Sequence, residues 1–322
     1  MNKIITLIVI AMMVCMSGCT GSKTPTKAAV TPFIGGSDAL KVSFVEGTPP
    51  AQIYDSGSSA FAIGLKLDNV GEHTVLATDG YVEILGLNAQ DFGLGSQVDL
   101  KKSFVSDIRG AKKNLDGTTL EGDSVYMDFS DMKYLPDLKG DVEFKFRANL
   151  CYDYVTQTSS KICLNKNPLA GLGEAICKVS ADKTVYNSGG PIQIVKVKES
   201  PLGNNKIQLL FEIGHKGSAN NLFYKMGTAC DDALTNTDRY KVLVKVTSDV
   251  NGATAQCSGL ESAVSGSEGY VTLFGGKNRA ITCVLDLAAV DSVYEDLFNV
   301  DLYYRYNQFL DKTIEIQDTG SS

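Results

Sequence analysis

Leu150 to Leu164 reads L-C-Y-D-Y-V-T-Q-T-S-S-K-I-C-L, and a related string returns near the C-terminus as Leu302 to Ile316, L-Y-Y-R-Y-N-Q-F-L-D-K-T-I-E-I. Aligned, Leu150 falls on Leu302, Tyr152 on Tyr304, Tyr154 on Tyr306 and Ile162 on Ile314. Leu-x-Tyr-x-Tyr alternates as a strand with one buried face does, because successive strand side chains point to opposite sides. The polar run that follows reads as a turn leading to a partner strand, so each string is expected to be a β-hairpin. Cys151 and Cys163 would stand on facing arms of the first hairpin; Tyr303 and Glu315 hold those places in the second. Two such hairpins, each closing one half of the mature chain, imply a tandem repeat.

Working outward, the same period-2 pattern fills both halves. Before the first string it marks Leu40 to Val45, Phe61 to Leu67, Tyr81 to Leu87, Val125 to Phe129 and Val142 to Phe146. Thr48-Pro49-Pro50 and Asp68-Asn69-Val70-Gly71 interrupt it with turn residues. Before the second string come Pro191 to Val197, Ile207 to Ile213, Leu222 to Met226, Tyr240 to Thr247, Tyr270 to Phe274 and Ile281 to Leu287. Ile207 to Gly217 repeats Phe61 to Gly71. Helical signals amount to one short turn each at Gln90 to Leu94 and Phe104 to Gly110. The pattern predicts an all-β chain of two tandem immunoglobulin-like antiparallel β-sandwich domains, residues 37–165 and 174–317. Asn165 to Gly173, bearing Pro168 and glycines, is the expected boundary. Tyr304 or Tyr306 is expected either to cap a neighbouring backbone group with its hydroxyl or to be a core aromatic with its oxygen at the rim.

The N-terminus reads as an address. Lys3 is followed by Ile4 to Val14, 11 residues that are apolar but for Thr6. A helix of that length spans roughly 17 Å, short of the ~30 Å hydrocarbon core, which favours a cleaved signal over a spanning helix. Ser17-Gly18-Cys19 resembles a lipoprotein cleavage site, although Met16 stands where Leu is usual. Residues 1–19 are therefore expected to be a lipoprotein-type signal peptide with lipid attachment at Cys19, and an uncleaved membrane helix is the alternative. Residues 20–36, rich in Ser, Thr, Lys, Pro and Gly, suit a flexible tether reaching up to roughly 50 Å.

Net charge is −7 with a pI near 5.0, and the basic residues are scattered, so no nucleic acid partner is expected. Six cysteines follow Cys15 and Cys19: Cys151, Cys163, Cys177, Cys230, Cys257 and Cys283. An even number in an exported chain implies disulfides. The expected pairs are Cys151–Cys163, Cys177–Cys230 and Cys257–Cys283. No Cys-x-x-Cys occurs and the two histidines stand apart, so no metal or other cofactor is expected.

Catalytic signals are weak. His73 and His215 fall in equivalent turns after the repeated apolar strand, which suggests turn residues more than bases. No Gly-x-Ser-x-Gly elbow or phosphate loop is present. Asp116, Glu121 and Asp123 carry oxygens suited to calcium, but their spacing is that of a solvated turn.

The Cys-x-Tyr-x-Tyr motif, with Cys163 twelve residues after Cys151, together with F-A-I-G-L-K-L-D-N-V-G at Phe61 to Gly71, resembles two groups. One is the immunoglobulin-like cell-surface modules of the CARDB kind. The other is a set of uncharacterised membrane-anchored proteins of small-genome archaea. The resemblance implies tandem sandwiches at the cell surface and carries no catalytic residues. The expectation is an extracytoplasmic binding, adhesion or envelope-structural protein that is not an enzyme. It would be anchored to the membrane by an N-terminal lipid or helix and meet a protein or glycan partner at the cell surface. The competing expectation is an extracytoplasmic hydrolase with its site between the sandwiches. Loops Asn114 to Asp123 and Asn220 to Asp232 are the expected contact segments.

Overall fold

A computed structural model describes residues 31–169, 176–230, 235–248 and 255–320. The signal segment, Cys19, the tether as far as residue 30 and part of the expected boundary lie outside the described residues. The first half contributes β1 (Leu40–Phe44), β2 (Gln52–Tyr54), β3 (Phe61–Asn69), β4 (Gly80–Leu85), β5 (Lys101–Ser103), β6 (Lys112–Lys113), β7 (Thr119–Leu120) and β8 (Ser124–Met132). A long strand, β9 (Val142–Leu164), leads onward to β10 (Ala181–Lys183), β11 (Val185–Asn187), β12 (Ile192–Pro201), β13 (Lys206–His215) and β14 (Leu222–Tyr224). The chain closes with β15 (Lys241–Ser248), β16 (Gln256–Ser258), β17 (Glu261–Ser265), β18 (Glu268–Thr272), β19 (Arg279–Asp286) and a second long strand, β20 (Tyr294–Gln317). The all-β class holds, and helix is limited to three 3-10 turns among the described residues.

The strings that open the sequence are not hairpins. β9 runs unbroken for 23 residues and β20 for 24, and they pair antiparallel from Tyr294↔Leu164 to Ile316↔Val142. Thr156 to Lys161 is polar, but it contains no Gly, Pro, Asn or Asp to turn the backbone. Its polar atoms are satisfied in place. Thr156 Oγ1 meets Tyr304 OH at 2.8 Å, Thr158 Oγ1 donates to Asn187 Oδ1 at 2.6 Å, and Ser160 Oγ donates to the Thr184 carbonyl at 3.0 Å. β11 pairs alongside at Thr158 to Ser160. Buried hydroxyls with partners like these let a polar run continue as a strand.

This pair is the spine of a ten-stranded sheet ordered β17-β18-β15-β20-β9-β4-β5, with β11 on β9 and β14 and β2 on β20 beside that path. Two smaller sheets, β1-β3-β8 and β10-β12-β13-β19-β16, accompany it. Phe146 of β9 packs on Phe44 of β1, with ring centroids 5.8 Å apart, and Phe298 of β20 packs on Phe211 of β13 at 5.9 Å. Alternation puts both contacts on the even-numbered face of the spine. Each long strand starts beside its own half and ends beside the other: β20 pairs β15 at Leu243↔Tyr303 and then β2 at Ile53↔Ile316. The halves expected as separate domains thus share one sheet, and Pro32–Ser322 forms a single compact unit.

Four buried tyrosines hold the middle of that face. Tyr152 lies 6.1 Å from Tyr154 and 6.0 Å from Tyr306, and Tyr304 lies 6.1 Å from Tyr154 and 6.3 Å from Tyr306. Such edge and tilted pairs add about 0.5–1.5 kcal/mol each beyond area burial. Their hydroxyls tie the small sheets down. Tyr152 OH accepts the Leu40 N–H at 3.3 Å, and Tyr304 meets the backbone of Ile192, the first residue of β12. Tyr154 OH accepts the His73 N–H and donates to the Gly189 carbonyl at 2.8 Å. Burial pushes all four phenol pKa values up, so each remains a neutral donor.

Among the described residues three disulfides form: Cys151–Cys230, Cys163–Cys177 and Cys257–Cys283. The first two replace the expected Cys151–Cys163 and Cys177–Cys230. With no hairpin, Cys151 and Cys163 sit far apart along one strand and cannot meet. Cys257–Cys283 is as expected and joins adjacent β16 and β19. Such bonds belong to a chain that folds outside the reducing cytoplasm.

Candidate functional site

The odd-numbered face of the spine is polar. Register places Arg147 opposite Asp311, Asn149 opposite Phe309, Cys151 opposite Asn307 and Asp153 opposite Arg305. β4 extends the row with Leu85 beside Arg147, and β14 extends it with Leu222 beside Asn307. Residues 225–230 lie over one end of this face because three bonds hold them there. Cys230 is disulfide-bonded to Cys151, the Gly227 N–H donates to Asp153 Oδ1 at 3.1 Å, and Arg305 Nη1 donates to the Thr228 carbonyl at 2.6 Å.

Where the cover stops, a cleft of about 360 Å³ opens. Its floor is Leu85, Arg147, Asn149, Phe309, Asn307 and Leu222, and Asn220, Cys230 and Arg239 form its wall. The volume lies at the lower end of small-molecule sites, about 300–1,000 Å³. Asn307 Nδ2 donates to Asn149 Oδ1 at 2.7 Å and to the Leu150 carbonyl at 3.1 Å. The Arg147 guanidinium lies 3.6 Å from the centre of the Phe309 ring and is held by Asp311 at 2.7 and 3.2 Å. That guanidinium keeps the Asp311 carboxyl below its ordinary pKa. Among the described residues the cleft lining has no carboxylate, although Glu83 stands beside Asn149 in register.

The residues singled out in the sequence divide around this cleft. Cys151 and Cys230 supply the bond that builds its wall. Of loop Asn220 to Asp232, Asn220, Leu222 and Cys230 line it, while Asp231 and Asp232 lie outside the described residues. His73 and His215 are elsewhere, half-buried against tyrosines: the His73 ring packs on Tyr154 at 5.3 Å, and His215 Nε2 meets Tyr306 OH at 3.0 Å. Burial lowers both imidazole pKa values, so both rings are neutral at pH 7. They are structural partners of the tyrosines and not exposed turn residues. In loop Asn114 to Asp123, Asp116 accepts the Thr118 N–H and hydroxyl, and Asp123 pairs with Arg109 at 2.8 Å. Those bonds hold the β6–β7 hairpin, and no group of three His, Cys, Asp or Glu gathers for a metal among the described residues.

Glu199 is a carboxyl pushed to about 7, because burial outweighs the Lys183 ammonium at 2.7 Å and the Cys163 N–H. It is fully sealed from solvent and is not among the residues that line the cleft.

Asn149, Asn307, Arg147 and Phe309 went unread in the sequence. Their signal was present: Arg147-x-Asn149 and Arg305-x-Asn307-x-Phe309 alternate with the tyrosines and write a second, polar face on each long strand.

No family model matches the chain, and no curated protein does. Among solved structures it is similar to envelope protein VP37 from White Spot Syndrome Virus, over 48% of this chain and 98% of that one, at 9% identity and a TM-score of 0.25.

Proposed function

We propose that the chain is a membrane-tethered extracytoplasmic protein that acts by binding, without catalysis, through the cleft on the outer face of its two long strands. The observation that carries this reading is the cleft's lining. Amides, guanidinium groups and apolar side chains position a ligand by hydrogen bonds and contact, and at neutral pH they do not exchange protons with it. Among the described residues, groups suited to proton transfer sit elsewhere: the His73 ring packs on Tyr154, the His215 ring meets Tyr306, and Glu199 is paired with Lys183 inside the second half. The spine supports recognition physically, since a site on paired strands is held more rigidly than one on loops. The tether and a lipid on Cys19 would keep the cleft near the membrane, facing a protein or glycan of the envelope.

The test is cosedimentation of the full-length chain, kept in detergent micelles, with envelope preparations of its source cells. Specific, saturable sedimentation that falls on Asn220→Ala is the expected result. Turnover of an envelope substrate that disappears on His73→Ala or His215→Ala, with folding intact, would overturn the reading. Intact-mass analysis addresses the anchor separately: a diacylglyceryl adduct at Cys19 is expected, and an unmodified thiol there refutes lipidation.

A further inference from the structure

The amide pair in the cleft floor is half used. Asn307 Nδ2 donates to Asn149 Oδ1 and to the Leu150 carbonyl. Asn149 Nδ2 and Asn307 Oδ1 make no hydrogen bond with any described residue, although the two residues are only 8% and 7% exposed. Both side chains line the cleft. They therefore aim one donor and one acceptor, side by side on adjoining strands, into the same small space. An occupant that matches both atoms replaces water on them and meets donor and acceptor together.

A secondary amide has the complementary arrangement, a C=O to accept from Asn149 Nδ2 and an N–H to donate to Asn307 Oδ1. The surroundings describe the rest of the ligand. Leu85, Leu222 and Phe309 offer apolar surface for a methyl group and ring C–H bonds. Exposed Asn220 at the rim carries an amide that suits hydroxyl groups. Arg147 is neutralised by Asp311, and Glu83 lies beside Asn149, so an anionic ligand gains little over a neutral one. A peptide shares the amide, and the probes below separate the two.

From this placement, and resting on the binding function proposed above, we infer that the cleft takes a neutral N-acetylated saccharide whose acetamido group completes the Asn149–Asn307 pair. The probe is N,N′-diacetylchitobiose, titrated by saturation-transfer NMR and calorimetry into the full-length chain in micelles. Cellobiose, which has hydroxyls in place of the acetamido groups, should bind at least about tenfold more weakly. Asn149→Asp keeps the acceptor used by Asn307 but removes the free donor, and should weaken chitobiose about tenfold. Asn220→Ala, at the exposed rim, should weaken it several-fold without touching the fold. Equal binding of the two disaccharides, preference for N-acetylalanine methylamide, or indifference to both substitutions overturns the ligand class. If no probe binds while envelope sedimentation still depends on Asn220, the saccharide is wrong and the binding site stands; if sedimentation is absent as well, both fail.

Discussion

The Asp153 carboxylate and the Arg305 guanidinium meet in a two-point ion pair across the long strands, Oδ1 to Nε at 2.7 Å and Oδ2 to Nη2 at 2.8 Å. When the two repeated strings are aligned, Asp153 falls on Arg305. Their partners on either side, Tyr152↔Tyr306 and Tyr154↔Tyr304, are equivalent positions exchanged. The ion pair therefore marks the pseudo-two-fold centre of the molecule, where a position that repeats in sequence meets its own copy with opposite charge.

The pair is nearly enclosed, at 14% and 13% side-chain exposure, and both partners also bind the backbone of Gly227 and Thr228. Removing one partner leaves a charge largely cut off from water, so Asp153→Ala or Arg305→Ala should each cost about 3–5 kcal/mol. Replacing both should cost much less than the sum. Urea unfolding of the singles and the double gives the coupling, and strict additivity would show that the two residues act independently.

Two glycines report on the duplicated tyrosine contacts. A Cβ on Gly71 would sit 1.9 Å from Tyr154 OH, and one on Gly217 would sit 2.1 Å from Tyr306 OH. Gly71→Ala and Gly217→Ala should each destabilise by about 1–3 kcal/mol through overpacking. In a Tyr154→Phe background the added cost of Gly71→Ala should shrink, because the hydroxyl it strikes is gone. Thermal midpoints of the four chains measure this, and an unchanged increment would remove Tyr154 as the cause.

The strand positions and the burial of the tyrosines were legible because period-2 alternation is a direct consequence of backbone geometry. Phe61 to Leu67 and Ile207 to Ile213 lie in β3 and β13. The continuation of β9 through Thr156 to Lys161 was not legible, since polarity suggests a turn and only Asn187, Thr184 and Tyr304 reveal why those side chains can be buried. That one misreading displaced two disulfides. The cleft was hidden for another reason: Asn149 and Asn307 are distant in sequence, and only strand pairing brings them together.

A nick in residues 166–175 should not release two independent halves. Cys151–Cys230 crosses from one half to the other, and β9 and β20 remain paired. After nicking and reduction, the fragments should still elute together from size exclusion and separate only in denaturant. Separation on reduction alone would mean the spine does not hold them. The 79-residue separation closed by Cys151–Cys230 should itself contribute about 4–5 kcal/mol on the chain-entropy account.

Glu199 sets a pH dependence of definite sign. Its folded pKa of about 7 lies above the unfolded value near 4.5. Its contribution to stability is therefore fully present below about pH 4.5 and is lost as pH rises through about 7. Relative to wild type, Glu199→Gln should become progressively more stable across that window, by on the order of 3 kcal/mol, and level off above it. Denaturant midpoints of both chains at matched pH values provide the check; a constant difference would exclude Glu199 as the titrating group.

If the outer face of the long strands is where this protein meets its partner, contact there slows backbone exchange. Hydrogen exchange of the full-length chain, with and without a saturating amount of source-cell envelope, tests it most directly. Added protection is expected at residues 147–151, 220–230 and 305–309, with the β6–β7 hairpin unchanged. Protection confined to that hairpin, or absent from all three segments while binding is saturated, would contradict the account.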